Sequence, residues 1–421
     1  MTSSEFHLRS ALTPDARLLF ATRVVRLFAY GFLSVVLVLH LSAAGLSEAS
    51  IGVLLTLTLL GDTAVSLVVT TRADRAGRRS MLRLGAALMI LAGVLFASTR
   101  SFALLLVAAT VGVISPAGNE VGPFLAIEQA ALSQALPGER RTQVFAWYQL
   151  AGAFATALGA LAGGTLASGL QRAGWTPLDS YRAIVAGYAA LGGLLLLLFQ
   201  GLSRDVEAPP AARATSNRPS FLEPGLGLRR SRGVVFRLSA LFSLDAFAGG
   251  FVVQAFVAYW FHRRFGSDPA LLGKLFFGAN VLAGLSALSA AWVARRIGLV
   301  RTMVFTHLPS NVLLLLVPLM PTLPLAMAVL LLRFSISQMD VPTRQSYTMA
   351  VVEPGERSAA AGVTGIARTI GSSLAPVVAG PLYAVTTLAS VPFFIAGGLK
   401  IVYDLALYAA FRKLPPPEER R

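Results

Sequence analysis

Apolar stretches of about twenty residues recur along the chain, separated by short polar loops, and each is long enough for a helix to cross a bilayer. Read on that length, the pattern predicts spans at 27–44, 51–70, 81–98, 102–126, 144–170 and 181–202. A second set follows at 234–261, 270–294, 300–320, 325–347, 358–385 and 391–411, making twelve in two sets of six. Between them, 203–233 is rich in Pro, Ser and Arg and has no helical periodicity, which predicts a flexible cytoplasmic linker. The organisation expected is therefore 1–202, a six-helix bundle; 203–233, the linker; and 234–421, a second six-helix bundle. The first 20 residues are polar and mixed, and the first apolar run lacks a small-residue cleavage site, so no cleavable signal peptide is expected.

Composition agrees with this pattern. Of 421 residues, 55% are hydrophobic and 13% charged, about half the charge of a soluble domain. The mean hydropathy is +0.68. Such a chain is an integral membrane protein rather than a soluble enzyme or a disordered one, and with no cysteine it is neither a disulfide scaffold nor a cysteine-built metal site. The excess of 36 basic over 20 acidic residues points to an anionic bilayer rather than nucleic acid as partner. Most Lys and Arg fall in alternate loops, which predicts both termini in the cytoplasm of a bacterial-type inner membrane.

The second half repeats the first. Gly52 and Gly77 match Gly273 and Gly298 at an offset of 221. Pro137-Gly138-Glu139-Arg140 recurs as Pro354-Gly355-Glu356-Arg357, and Glu120-Val121 as Asp340-Val341. The small-residue runs from Gly159 to Gly164 and from Ala375 to Gly380 also correspond. Six spans duplicated in one orientation is a parallel repeat, a plan found in secondary transporters.

After the second span, Asp74-Arg75-Ala76-Gly77-Arg78-Arg79 resembles the Gly-x-x-x-Asp-Arg-x-Gly-Arg-Arg/Lys signature of the major facilitator superfamily (MFS), with Thr70 in place of the leading glycine. Its counterpart, from Arg295 to Arg301, keeps glycine and basic residues without the aspartate. The resemblance implies the MFS fold, an all-α membrane protein of twelve transmembrane helices in two pseudo-symmetric bundles. It also implies a gating role for Asp74, Arg75, Gly77 and Arg78, against the plainer reading of a capped turn with positive-inside arginines. The run from Gly159 to Gly164 resembles the antiporter signature Gly-Pro-x-x-Gly-Gly, with Ala160 at the proline, although close helix packing explains the same glycines.

Ionisable groups inside spans are costly and face a cavity or a partner. The candidates for substrate binding or proton coupling are Asp62, Glu120, Asp245, Arg333, Asp340, Arg344 and Arg368. Arg333, Ser337, Asp340 and Arg344 recur at steps of four, three and four, one helical stripe. The resemblance implies that spans one, four, seven and ten line a central cavity, where Glu120 and Asp340 would face each other. Fixed salt bridges, such as Glu120 with Arg344 or Arg368, are the alternative. Lys400 and Asp404, four apart, are expected to pair on span twelve, and Glu128 to reach water. Pro116, Gly118, Gly122 and Pro123 interrupt span four around Glu120. Asn119, Tyr148, Gln149, Gln254, Tyr259, Trp260, Asn280 and Gln338 fill out the cavity, while His40 and His307 stand isolated, so neither metal nor cofactor is expected.

These features predict a secondary transporter of a small molecule working by alternating access, with proton-coupled efflux as the leading reading and no enzymatic activity. Proton-coupled uptake of an organic anion on Arg333, Arg344 or Arg368 is the first rival. A non-transporting membrane sensor and a membrane enzyme are rivals of other classes. No Walker loop is present, span four carries no arginine of the drug-antiporter kind, and sugar-porter signatures are missing.

Overall fold

The computed structural model describes residues 13–120, 122–135, 141–208, 228–353 and 356–414, and among these there is no strand. The first eight helices are α1 (Pro14–Ser34), α2 (Leu37–Ala43), α3 (Glu48–Ala76), α4 (Arg78–Ser98), α5 (Phe102–Val111), α6 (Phe124–Ala135), α7 (Arg141–Arg172) and α8 (Pro177–Gln200). The second eight are α9 (Arg232–Gly250), α10 (Gln254–Phe265), α11 (Pro269–Ile297), α12 (Leu299–Leu316), α13 (Leu323–Phe334), α14 (Asp340–Val351), α15 (Arg357–Ala384) and α16 (Val391–Phe411).

By length and apolarity eight stretches among the described residues can cross a bilayer, and the bent pair α1–α2, at 44°, makes nine. The expected fourth, tenth and eleventh spans fall outside that set. The fourth is split into α5 and α6 and the tenth into α13 and α14, while α15 is a continuous helix rich in Gly, Ser and Thr that carries Arg368. Spans one and seven are also interrupted, at 35–36 and 251–253. Thus spans one, four, seven and ten, the ones expected to line a cavity, are the broken ones. Local chemistry accounts for two of the breaks: Gly118 and Gly122 adopt φ of 69° and 82° beside Pro116 and Pro123, and Pro342 removes an amide from the first turn of α14. The breaks touch one another. Gln254 donates to Ser34 Oγ at 2.7 Å, Asn280 donates to Gln254 at 3.3 Å, and the Ala255 amide donates to the Pro116 carbonyl at 3.1 Å.

The first span begins earlier than predicted. Thr13 caps α1 by accepting from the Ala16 amide, Pro14 occupies the first turn, and Asp15 complements the helix dipole. Arg23 and Arg26 therefore lie inside a helix rather than in the terminal segment.

The two sets of helices meet along α3 with α15 and α7 with α11. At Gly52 a Cβ would strike the Pro376 carbonyl and come within 3.1 Å of Gly380 Cα; at Gly164 it would strike the Pro269 carbonyl and come within 2.8 Å of Gly273 Cα. Gly52 corresponds to Gly273 in the repeat, and Gly164 to Gly380, so these are one contact made twice, with the partners exchanged. Both lie far from the end where α3 and α6 finish and α15 begins, called here the linker side. On the same far side Tyr259 donates to Glu48 at 2.6 Å, and Arg263 pairs with Glu48 at 3.2 Å.

Candidate functional site

The first polar cluster is built on α1. Arg23 and Arg26, one turn apart, are 3% and 0% exposed. Both hold Glu120 in the break of span four: Arg23 Nη1 at 2.7 Å and Arg26 Nε at 2.9 Å. Arg26 also binds both oxygens of Glu128 at 2.7 Å, and Thr22 donates to the same carboxylate at 2.9 Å. Tyr148 donates to Glu128 as well, and Arg23 reaches Gln149 and, at 2.7 Å, the Tyr148 carbonyl. Gly152 leaves the space this needs, because a Cβ there would sit 2.7 Å from Arg23 Nε. Two expectations are corrected. Glu120 pairs with span one rather than with Arg344 or Arg368, and Glu128 is fully buried rather than in water.

Asp62 stands beside this cluster without joining it. Gly61 lets α3 press against the Thr110 backbone of α5, which sets Asp62 near the break, in reach of the Gly122 amide and of the Glu120 field. It is 8% exposed, its Oδ1 lacks a hydrogen-bond partner, and among the described residues no cation pairs with it.

The second cluster joins four helices. Asp245 on α9 takes Lys400 of α16 on one oxygen at 2.5 Å and Arg344 of α14 on the other at 3.2 Å. Arg344 also pairs with Asp340 one turn earlier at 3.1 Å. On α12, His307 meets Asp404 at 2.8 Å, and Asn311 donates to Asp404 at 2.8 Å. The expected Lys400–Asp404 pair is therefore not made. Each finds a partner on another helix, and His307 is not isolated, since interhelical geometry outweighs spacing along one helix. Arg333 and Arg368 form no ion pair or hydrogen bond among the described residues, and their Nε atoms, like Ser337 Oγ, are buried without partners. Close by on the linker side, α11, α12 and α14 line a cavity of about 530 Å³ that includes Arg295, Thr343 and Ser346.

At the loop expected to gate, the side chains of Asp74 and Arg75 lie outside the described part. Gly77 turns the chain at φ 97°. Arg78 is buried and donates to Gln134 at 3.0 Å and to the Val206 carbonyl at 3.2 Å. The start of α4 is capped by Glu207, which accepts from the Arg78 amide at 2.7 Å and the Arg79 amide at 3.3 Å. The run resembling an antiporter signature packs helices: at Gly159 and Gly163 a Cβ would strike the backbone of Phe28 and Phe32 on α1.

A family model described as Major Facilitator Superfamily matches residues 19–376. The chain belongs to the Major Facilitator Superfamily. It is a membrane transporter of a small molecule, not an enzyme. An uncharacterized membrane protein of Saccharomyces cerevisiae is 31% identical, the match covering 94% of each chain. Among solved structures, a bacterial homologue of the human lysosomal transporter Spinster, inward-facing and occupied, superposes with a TM-score of 0.72 at 15% identity, over 94% of this chain and 96% of its own. A D-xylose–proton symporter gives 0.72 at 17% identity, over 93% and 97%. At these identities the likeness is one of fold.

Proposed function

We propose that this transporter couples movement of its substrate to protons, that Asp62 and Glu120 carry the coupling, and that the direction is export. The observation that carries the reading is Asp62: a membrane-buried carboxyl with an orphaned oxygen and no cation paired with it among the described residues, against the break that holds Glu120. An uncompensated charge there is costly, and a proton supplies what the surroundings do not. Glu120 is tied to the same break and is bound by two arginines of span one, so a change of charge at Asp62 reaches a joint between helices. The breaks of spans one, four and seven, which meet near Ser34, Pro116 and Gln254, are where the two bundles would rock. The likeness in fold to a D-xylose–proton symporter is compatible with this reading. Export rests on the partial antiporter likeness of the Gly159–Gly164 run.

The test uses purified protein in liposomes, comparing exchange of a solute at equal pH with accumulation driven by a pH gradient. Asp62→Asn should retain exchange and lose gradient-driven accumulation. A variant that accumulates solute as wild type does would refute the assignment. Resistance of an efflux-deficient host expressing the protein checks the direction, and hypersensitivity contradicts it.

A further inference from the structure

The repeat allows the linker-side corners of the two sets of helices to be compared place by place. In the first set, the chain leaving α8 folds back over its bundle: Leu202 and Val206 are buried, and the Ser203 amide donates to Asp15 at the start of α1 at 2.9 Å. The Val206 carbonyl accepts from Arg78 at 3.2 Å, and Gln134 at the end of α6 donates to the Asp205 and Glu207 carbonyls, both at 3.1 Å. Glu207 caps the first two amides of α4, so residues 202–207 tie α4 to α6. The matching corner of the second set lies between α11, α12 and α14, where Gly298 turns the chain into α12 at φ 86° as Gly77 turns it into α4 at 97°. Among the described residues no segment covers that corner. The cavity of about 530 Å³ stands there instead, walled by Ala290, Ala294 and Pro342, with Leu299 and Ala350 toward its linker-side end. Arg295, exposed on its rim, forms no ion pair among the described residues.

The chain that leaves α16 runs toward this corner. The Leu414 carbonyl accepts from Tyr347 of α14 at 2.9 Å, and Leu414 packs against the same core as Leu299 of the cavity wall. Residues 415–421, Pro-Pro-Pro-Glu-Glu-Arg-Arg, lie outside the described part. Glu207 stands seven residues beyond the end of α8, and seven beyond the end of α16 is Glu418. We propose that residues 415–421 dock over the mouth of this cavity, with the Glu418 carboxylate at the start of α12 and beside Arg295, the counterpart of Glu207 at the start of α4. A helix start and a guanidinium both favour a carboxylate. Three prolines advance about 3.1 Å per residue as a stiff arm, which gives up little entropy on docking. The docked segment ties α12 to α14, the half of broken span ten that carries Asp340 and Arg344. Each bundle then has its linker-side corner strapped by the chain that leaves it.

Amide exchange of the purified full chain, read by mass spectrometry, tests this, with the first set of helices as reference. Glu207→Ala should speed exchange at 78–79, and Glu418→Ala at 299–300, each by about fivefold, the size of a lost helix cap. Glu418→Gln, which keeps an acceptor, should lose less. A variant ending at Leu414 should show the same gain at 299–300 and faster exchange at 346–351 as well. Unchanged exchange at 78–79 in the Glu418 variants separates a local loss from misfolding. Ala350→Cys with Pro416→Cys should form a disulfide under mild oxidation, and the far-side pair Ala49→Cys with Pro416→Cys should not. The proposal is overturned if the shortened variant exchanges at 299–300 as wild type does, which would leave lipid or solvent over the cavity. It is overturned equally if the Ala350→Cys pair cross-links no faster than the far-side pair. Faster exchange in the shortened variant but not in Glu418→Ala would overturn the part assigned to the carboxylate.

Discussion

Glu128 is fully buried, and four donors converge on it: two from Arg26 and one each from Thr22 and Tyr148. Glu128→Gln keeps the volume and removes the charge. One of its two acceptor positions becomes an NH₂ that faces the Arg26 guanidinium, donor against donor. Arg26 then depends on Glu120, which already serves Arg23 at 2.7 Å. Removing one partner of a buried ion pair costs about 3–5 kcal/mol, because the remaining charge stays buried. That is roughly two to three and a half orders of magnitude in the unfolding equilibrium. Unfolding by SDS in mixed micelles, followed through the four tryptophans, reads the difference. The double variant Arg26→Met with Glu128→Leu should regain part of the loss, since no charge is then left unpaired. A single variant within about 0.5 kcal/mol of wild type, the range of an inert surface change, would refute the network.

Lys400→Met should destabilise the second bundle by about 3 kcal/mol in the same unfolding assay, and adding Asp245→Asn should restore most of it; a neutral single variant contradicts the pairing. Gly164→Val drives a branched side chain into Pro269 and Gly273 and should open the far-side seam. A cysteine at Ser42 would then react faster with a water-soluble maleimide than in the wild-type background, and an unchanged rate counts against the seam. At the start of α9 the Ser231, Arg230 and Arg229 amides donate to Glu356 at 2.9, 3.0 and 2.9 Å and hold its carboxyl down at about 2. Its folded value lies below its unfolded one, so this cap contributes fully above about pH 4.3 and is lost as pH falls through about 2. Glu356→Gln should speed amide exchange at 229–231 at neutral pH, and unchanged exchange contradicts the cap.

The order of spans and the repeat were legible because apolar length and duplicated glycines are local signals. Gly52, Gly164, Gly273 and Gly380 prove to be the seam itself. Glu120 and Asp340 were legible as equivalent positions in spans four and ten, and the break at Glu120 was legible too, but the break of span ten was not, because the stripe through Asp340 fits an unbroken helix. Their partners were not. Arg23 and Arg26 read as loop charges because polar Thr22 and the arginines themselves dilute the apolar run, although Thr13-Pro14-Asp15 is a helix-start signal that places them a few turns inside. Lys400 and Asp404 share a helix face, but spacing on one helix cannot say which neighbour comes closer, and here Asp245 and His307 do. Gly152 carried a further signal, a missing side chain where a guanidinium passes.

The chain contains no cysteine, so spin labels can be placed without altering its background. One pair, Ala49→Cys with Thr386→Cys, spans the far side, and another, Ser80→Cys with Arg296→Cys, spans the linker side. Distance distributions are measured by pulsed electron paramagnetic resonance as pH is stepped, in the wild type and in Asp62→Asn. Proton-coupled alternating access predicts that the far-side and linker-side distances change in opposite directions in the wild type and stop responding to pH in Asp62→Asn. Distances that stay fixed at every pH, lengthen together, or respond equally in the variant would contradict it.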